Sequence, residues 1–264
     1  MAAPLDQREA MQQTANDRLW SGGKRVAAYA TRTLRPVEVV ILVRYRDALS
    51  GRVLELGCGA GRLTGYLAEV AASVHGIDLS EEMVAYSRQR YPKATFAKGD
   101  LRDLSTFAEG SCDAVVAAYN VIDVLGESAR SQVLDGIYRL LSPGGLLVVS
   151  SHNRAIASRL GDPLRLRGRP PREIFWTLVS LPRWLRNRRR LVAFERTEPG
   201  YAILNDAAHD FSALHYYITR DVQQTQLEAH GFELLECLDL EGRTVGPGDV
   251  SESPELHYVA RRVG

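Results

Sequence analysis

Three glycines spaced two residues apart, Gly57, Gly59 and Gly61, follow directly on the apolar residues Val53, Leu54 and Leu56. Lacking Cβ atoms, they let a backbone turn sharply and come close to a ligand, while the run before them suits a buried parallel strand. Glu55 stands just ahead of this loop and Cys58 lies within it. A carboxylate there repels a pyrophosphate and favours a cationic amino acid. A dinucleotide loop, Gly-x-Gly-x-x-Gly, needs its last glycine at position 62, where this chain has Arg62, so NAD fits poorly. Asp78 ends a second short apolar run 21 residues beyond Gly57. An acid so placed can accept hydrogen bonds from both hydroxyls of a ribose. The pattern reads as a site for a nucleoside whose far end is a zwitterion.

The sequence Glu-Leu-Gly-Cys-Gly-Ala-Gly at 55–61 resembles the first motif of class I S-adenosylmethionine-dependent methyltransferases, and the resemblance extends from Arg52 to Ser151. It implies S-adenosyl-L-methionine as cofactor, bound by Glu55, Gly57, Cys58, Gly59 and Gly61 around the amino acid, Asp78 and Leu79 at the ribose, and Met83 against adenine. Gly99, Asp100 and Leu101 would meet the adenine amine and a ring nitrogen. Tyr119 and Asn120, at the end of a fourth strand, border the place where cofactor meets acceptor, since ligands of open parallel sheets lie beyond the carboxyl ends of the strands. The chain lacks the Asn-Pro-Pro-Tyr or Asp-Pro-Pro-Tyr pattern used on adenine or glutamine amides. His152, just past a fifth strand, is a candidate acceptor-side base, because histidine exchanges protons near neutral pH. His209 and Tyr216 are alternatives brought in from a lid. Asp123 could act as a base, bind an amine or cap a helix. No metal is implied.

These residues need strands at 52–56, 73–77, 95–97, 112–118 and 146–150, alternating with helices that include one from Leu63 and one from about Ala129 to Leu141. The spacing predicts an α/β chain built on a doubly wound, Rossmann-like sheet of seven mostly parallel strands; the reversed last strand is implied by the resemblance. Residues 1–50 read as an N-terminal helical cap in which Trp20 and Tyr29 either line the pocket or pack in the core. Residues 1 to about 16 read as a frayed helix or loose end. Residues 51–153 form the cofactor core, 154–218 a substrate lid between strands five and six, and 219–264 the completion of the sheet. Within the lid, Arg159 to Arg190 is basic and interleaved with apolar residues, including Leu164, Leu166, Phe175 and Leu185, which predicts amphipathic helical pieces broken near Pro182. Residues 191–194, 201–204 and 213–219 read as extended, with Tyr216 and Tyr217 on opposite faces.

The 264 residues allow one large core with additions, and a net charge of +1 gives no general footprint for nucleic acid. Cys58, Cys112 and Cys237 lack paired metal-ligand spacing, which fits a reducing cytoplasm. The opening residues lack the basic and apolar pattern of a leader, and no run approaches a membrane span. The expected partner is a small-molecule acceptor, with the arginines suited to an anionic substrate, a carrier-bound one or an anionic membrane; oligomeric state is not indicated. The reading is methyl transfer to an oxygen or nitrogen. Its alternatives are cyclisation or aminoalkyl transfer from the same cofactor, and a regulatory module that binds it without turnover.

Overall fold

Short apolar runs alternating with amphipathic helices bury both faces of a sheet only when the strands pair in parallel and the helices cover them. In the computed structural model, which describes residues 5–20, 26–159 and 170–264, β1 (Arg52–Leu56) lies at the centre of such a sheet. It pairs in parallel with β2 (Ser73–Asp78) and with β4 (Cys112–Ala117). β3 (Thr95–Lys98) flanks β2, and β5 (Leu141–Asn153) flanks β4, again in parallel. β10 (Glu255–Arg262) runs antiparallel to β5, and β9 (Phe232–Leu238) antiparallel to β10. These are the seven expected strands, with the last one reversed.

Alternation along the strands divides the core into two layers. Leu54, Leu56, Val115, Leu147 and Val149 pack with Val133, Leu134 and Ile137 of α6 (Glu127–Leu140) and Leu227 of α8 (Arg220–Ala229). Val53, Val74, Val116 and Val148 pack on the other side with Val37 and Ile41 of α3 (Pro36–Arg44) and Leu63 and Leu67 beside and within α4 (Thr64–Leu67). The helix expected from Leu63 is this single turn, and Tyr66 within it is 50% exposed.

The insertion joins the same sheet. β8 (His215–Ile218) pairs in parallel with the end of β5, placing Tyr217 opposite His152, and β7 (Tyr201–Leu204) and β6 (Arg196–Thr197) follow in antiparallel order to give ten strands. This pairing carries β5 on to Asn153, beyond the expected end at residue 150. Residues 192–194 form a turn of 3-10 helix rather than a strand. α7 (Pro171–Leu191) passes unbroken through Pro182, which lies on the exposed side, where water can serve the carbonyl left without its N–H partner. Leu164 and Leu166 of the basic stretch lie outside the described residues.

The amino-terminal reading also needs correction. α1 (Leu5–Trp20) is docked, because two of its amides replace backbone partners that the connection after β4 and the strand entry at Leu214 would otherwise lack. Gln12 Nε2 donates to the carbonyls of Leu125 (2.9 Å) and Leu214 (3.3 Å). Asn16 Nδ2 donates to Val124 (2.6 Å) and Leu214 (2.8 Å), and its Oδ1 accepts from Leu214 N at 3.1 Å.

Candidate active site

A cleft opens beyond the carboxyl ends of β1, β2 and β4, enclosing about 1210 Å³ with its mouth included. Glu55, Gly57, Cys58, Gly59, Asp78, Leu79, Met83, Gly99, Asp100, Leu101, Tyr119 and Asn120 all line it. Gly61 does not line it but completes the turn, and the three glycines have φ of 64°, 53° and 73°. Their reasons for being glycine differ. A Cβ at Gly57 would lie 2.0 Å from Val121 Cγ2 and one at Gly61 2.6 Å from Tyr91 Cδ2, whereas one at Gly59 would meet nothing within 4 Å. Packing demands the outer two; the middle one keeps the cleft side of the loop open.

Asp78 accepts from Gly59 N at 2.8 Å on one carboxylate oxygen and from Ser80 N at 2.9 Å on the other, and each oxygen keeps further acceptor capacity. Burial raises its pKa, and the backbone bonds offset part of the rise. Ser80 supplies the cap of α5 (Glu81–Arg90), accepting from Met83 N at 3.3 Å, which leaves Asp78 free of that task. Glu55 is 5% exposed, and burial pushes its carboxyl up to about 8 despite a hydrogen bond from Thr64. A fixed cation in the cleft would therefore favour its ionised form. Asp100 is paired with Arg102, which outweighs burial and lowers its pKa, and Arg102 also lies 3.3 Å from Asp17. Gln13, Asp17, Arg62 and Arg102 line the cleft without having been expected there.

β4 ends in a strained step: Tyr119 and Asn120 both have left-handed φ, 62° and 58°. Such positions cost on the order of 1–3 kcal/mol each and persist where neighbours fix them, commonly at ligand sites. Here Asn120 N donates to Ser150 Oγ (2.7 Å) and its Nδ2 to Glu255 Oε2 (2.9 Å). Trp20 and Tyr29, left open between core and pocket by the sequence, line the cleft with Tyr119, and their rings stand edge to face at 6.1 and 6.3 Å.

His152 does not line this cleft. Its Nδ1 lies 2.8 Å from Asp123 Oδ2, and its backbone N donates to the same oxygen at 2.6 Å. Asp123 and Arg130 are both 0% exposed and meet at 2.6 Å, so Asp123 is neither a free base nor a cap but the buried anchor of His152. The His152 ring sits 4.9 Å from Tyr217 and 5.3 Å from His215. His215 Nδ1 lies 2.9 Å from Asp206, which also accepts from Tyr217 Oη. Burial disfavours charge on both partners of this pair, but their mutual attraction wins, lowering Asp206 to about 2 and raising His215. Rings continue from His215 to His209 at 6.0 Å and on to Trp20 at 5.1 Å, linking the histidine pair to the cleft wall.

Tyr216 is the corrected candidate. Alternation turns it away from His152 into a cluster with Leu191, Ile203 and Leu214, where it is 0% exposed, stacks on Tyr201 at 4.9 Å and donates to Glu127. Tyr217 takes the position facing His152. His209, Asp210 and Phe211 form a left-handed segment held by Trp184 Nε1 (2.6 Å to Asp210 Oδ1) and Asn187 Nδ2 (2.9 Å to Asp210 O) of α7.

A family model described as a methyltransferase domain matches residues 53–145, which carry the glycine loop, Asp78, Asp100 and Tyr119. A ubiquinone biosynthesis O-methyltransferase of Xanthomonas oryzae is 30% identical over 166 residues, 58% of this chain and 68% of that protein. The chain belongs to the S-adenosylmethionine-dependent methyltransferases. A methyltransferase of Mycolicibacterium smegmatis is 39% identical over 116 residues, 44% of each chain. The matches with two further relatives span 43% and 60% of those proteins, so the chain covers less than two thirds of several curated relatives. Among solved structures, a 1,6-didemethyltoxoflavin-N1-methyltransferase of Burkholderia thailandensis matches with TM-score 0.63 and 17% identity over 100% of this chain and 94% of that one, which shows the shared fold. S-adenosylmethionine is the family's cofactor, and the methyltransferase cleft fits it: an open face at Gly59, a buried acid at each of two places where cationic and ribose groups are expected, and apolar side chains of Leu79, Met83 and Leu101 between them.

Proposed function

We propose that this methyltransferase acts on an oxygen or nitrogen of a small molecule held at the Trp20, Tyr29 and Tyr119 end of the cleft. The observation that carries the reading is one cleft in which the glycine loop, Asp78 and Asp100 meet an aromatic wall of Trp20, Tyr29 and Tyr119. Glu55 would hold the cofactor's ammonium, Asp78 its ribose, and Asp100 with Leu101 its adenine. When bound, the sulfonium supplies an activated methyl group. The protein's part is to align the nucleophile and exclude water, an effect that can contribute several kcal/mol. For a hydroxyl acceptor that extends from the Trp20 end past His209 and His215, His152 would take the proton, with Asp123 Oδ2 2.8 Å from Nδ1 and Nε2 as the receiving atom. The name of the Xanthomonas relative supports an oxygen acceptor. The free, buried thiols of Cys58, Cys112 and Cys237 support a reducing, cytoplasmic setting.

Calorimetric titration of S-adenosylmethionine tests the cofactor assignment. Gly59→Ala should fold, paying about 1–2 kcal/mol for a side chain at φ 53°, and should bind at least about tenfold more weakly, because its Cβ occupies the open face of the loop. Wild-type affinity in that variant would sink the placement of the cofactor against Gly59.

A further inference from the structure

The insertion carries an exposed face that the methyl-transfer reading leaves unused. Helix α7 holds six arginines and one acid, Glu173, in 21 residues, while the whole chain nets only +1. None of the described residues lining the cleft belongs to α7, so these arginines do not serve a ligand there. The inward side of the helix is accounted for: Thr177 is buried, Trp184 and Asn187 hold the left-handed segment at Asp210, and Arg188 pairs with Glu195 at 2.9 Å. The outward side divides along its length. Phe175 (58%), Leu178 (53%) and Val179 (54%) are exposed in the first half, beside exposed Pro182. Leu185 (45%) then gives way to Arg186, Arg189 and Arg190, exposed and without a carboxylate partner among the described residues.

We propose that α7 docks this protein on an anionic lipid bilayer, its first half entering the acyl boundary and its second half lying among the headgroups. The order of residues selects this occupant. At 1.5 Å per residue, Phe175 and Arg186 stand about 16 Å apart along the axis. A helix inclined to a bilayer can therefore bury the apolar end to the roughly 5–10 Å depth of interfacial helices and leave the guanidinium groups at the charged surface. An acidic protein would match the arginines but not three adjoining bulky apolar side chains. None of the described helices is long and apolar enough to cross a membrane, which agrees with a helix lying on the surface. Through Trp184 and Asp210, the docked helix holds the His209 segment that packs on Trp20 at the cleft wall. The proposal stands apart from the identity of the methyl acceptor.

Co-sedimentation with vesicles tests it, comparing phosphatidylcholine alone with phosphatidylcholine containing phosphatidylglycerol. The full chain should bind only the anionic vesicles and release in high salt. Leu178→Glu with Val179→Glu, and separately Arg186→Glu with Arg189→Glu and Arg190→Glu, should each lower partitioning by at least about tenfold. Both variants should keep wild-type affinity for S-adenosylmethionine, which shows that they fold. Three results would overturn the proposal: no preference of the wild type for anionic vesicles; loss in the arginine variant alone, as charge-only docking on an acidic protein predicts; or light scattering showing that the apolar variant splits a stable dimer, which would make a second copy the occupant.

Discussion

Replacing Asp123 by alanine is expected to destabilise the fold by about 3–5 kcal/mol, the range for breaking a buried ion pair from one side. The substitution strands the guanidinium of Arg130, which is 0% exposed and has Asp123 as its one ion-pair partner among the described residues. Its other contacts, Ser151 Oγ at 2.7 Å, Gln226 Oε1 at 2.9 Å and Gln223 Oε1, carry no formal charge. The loss also frees the backbone N and Nδ1 of His152, so the end of β5 loses its anchor. Denaturant unfolding checks this through the midpoint at constant slope. A loss below about 1 kcal/mol would mean that water or a neighbouring acid reaches Arg130 and that the site is not as closed as described.

The second large effect concerns turnover. With a hydroxyl acceptor, His152→Ala should lower kcat by about 100-fold or more while the affinity for S-adenosylmethionine changes little, because the imidazole stands outside the cofactor cleft. An amine acceptor attacks once neutral and sheds its proton afterwards, so it needs less help. Parallel measurement of His209→Ala separates the two histidines, since His209 is the one whose ring adjoins Trp20. If His152→Ala loses less than about tenfold on a hydroxyl acceptor and His209→Ala loses more, the proton goes to the lid histidine and Asp123 has only a structural task.

The cofactor half of the site was legible because its signals are local. Gly57, Gly59 and Gly61 must lie close in sequence to make one turn, Asp78 closes β2 and Asp100 follows two residues after β3, so spacing along the chain reports position in the sheet. The acceptor half is assembled from distant segments. Asp206 and His215 meet His152 only because β8 pairs with β5, a contact between residues 152 and 217 that no local period encodes. Alternation in β8 showed that Tyr216 and Tyr217 face opposite ways but not which of them faces inward. One signal was present and unread: Arg130, Val133, Leu134 and Ile137 fall at i, i+3, i+4 and i+7, placing a charge on the buried stripe of α6 and calling for a buried acid nearby. The docking of the N-terminal helix leaves no signal in composition, because Gln12 and Asn16 bury by hydrogen bonding to backbone rather than by apolar contact. Proline usually ends an interior helix, so Pro182 predicts a break, yet its exposed side tolerates the lost bond.

The central claim is that this chain moves a methyl group from S-adenosylmethionine, and the nucleoside left behind tests it most directly. The purified protein is incubated with the cofactor and a panel of small hydroxyl and amine acceptors, and the nucleosides are separated by chromatography with the acceptors followed by mass. Methyl transfer leaves S-adenosylhomocysteine in equal amount to a methylated acceptor, and Gly59→Ala and His152→Ala should reduce both together. Methylthioadenosine as the product would contradict the account, because it shows attack on a different carbon of the sulfonium and assigns the same cleft to cyclisation or aminoalkyl transfer.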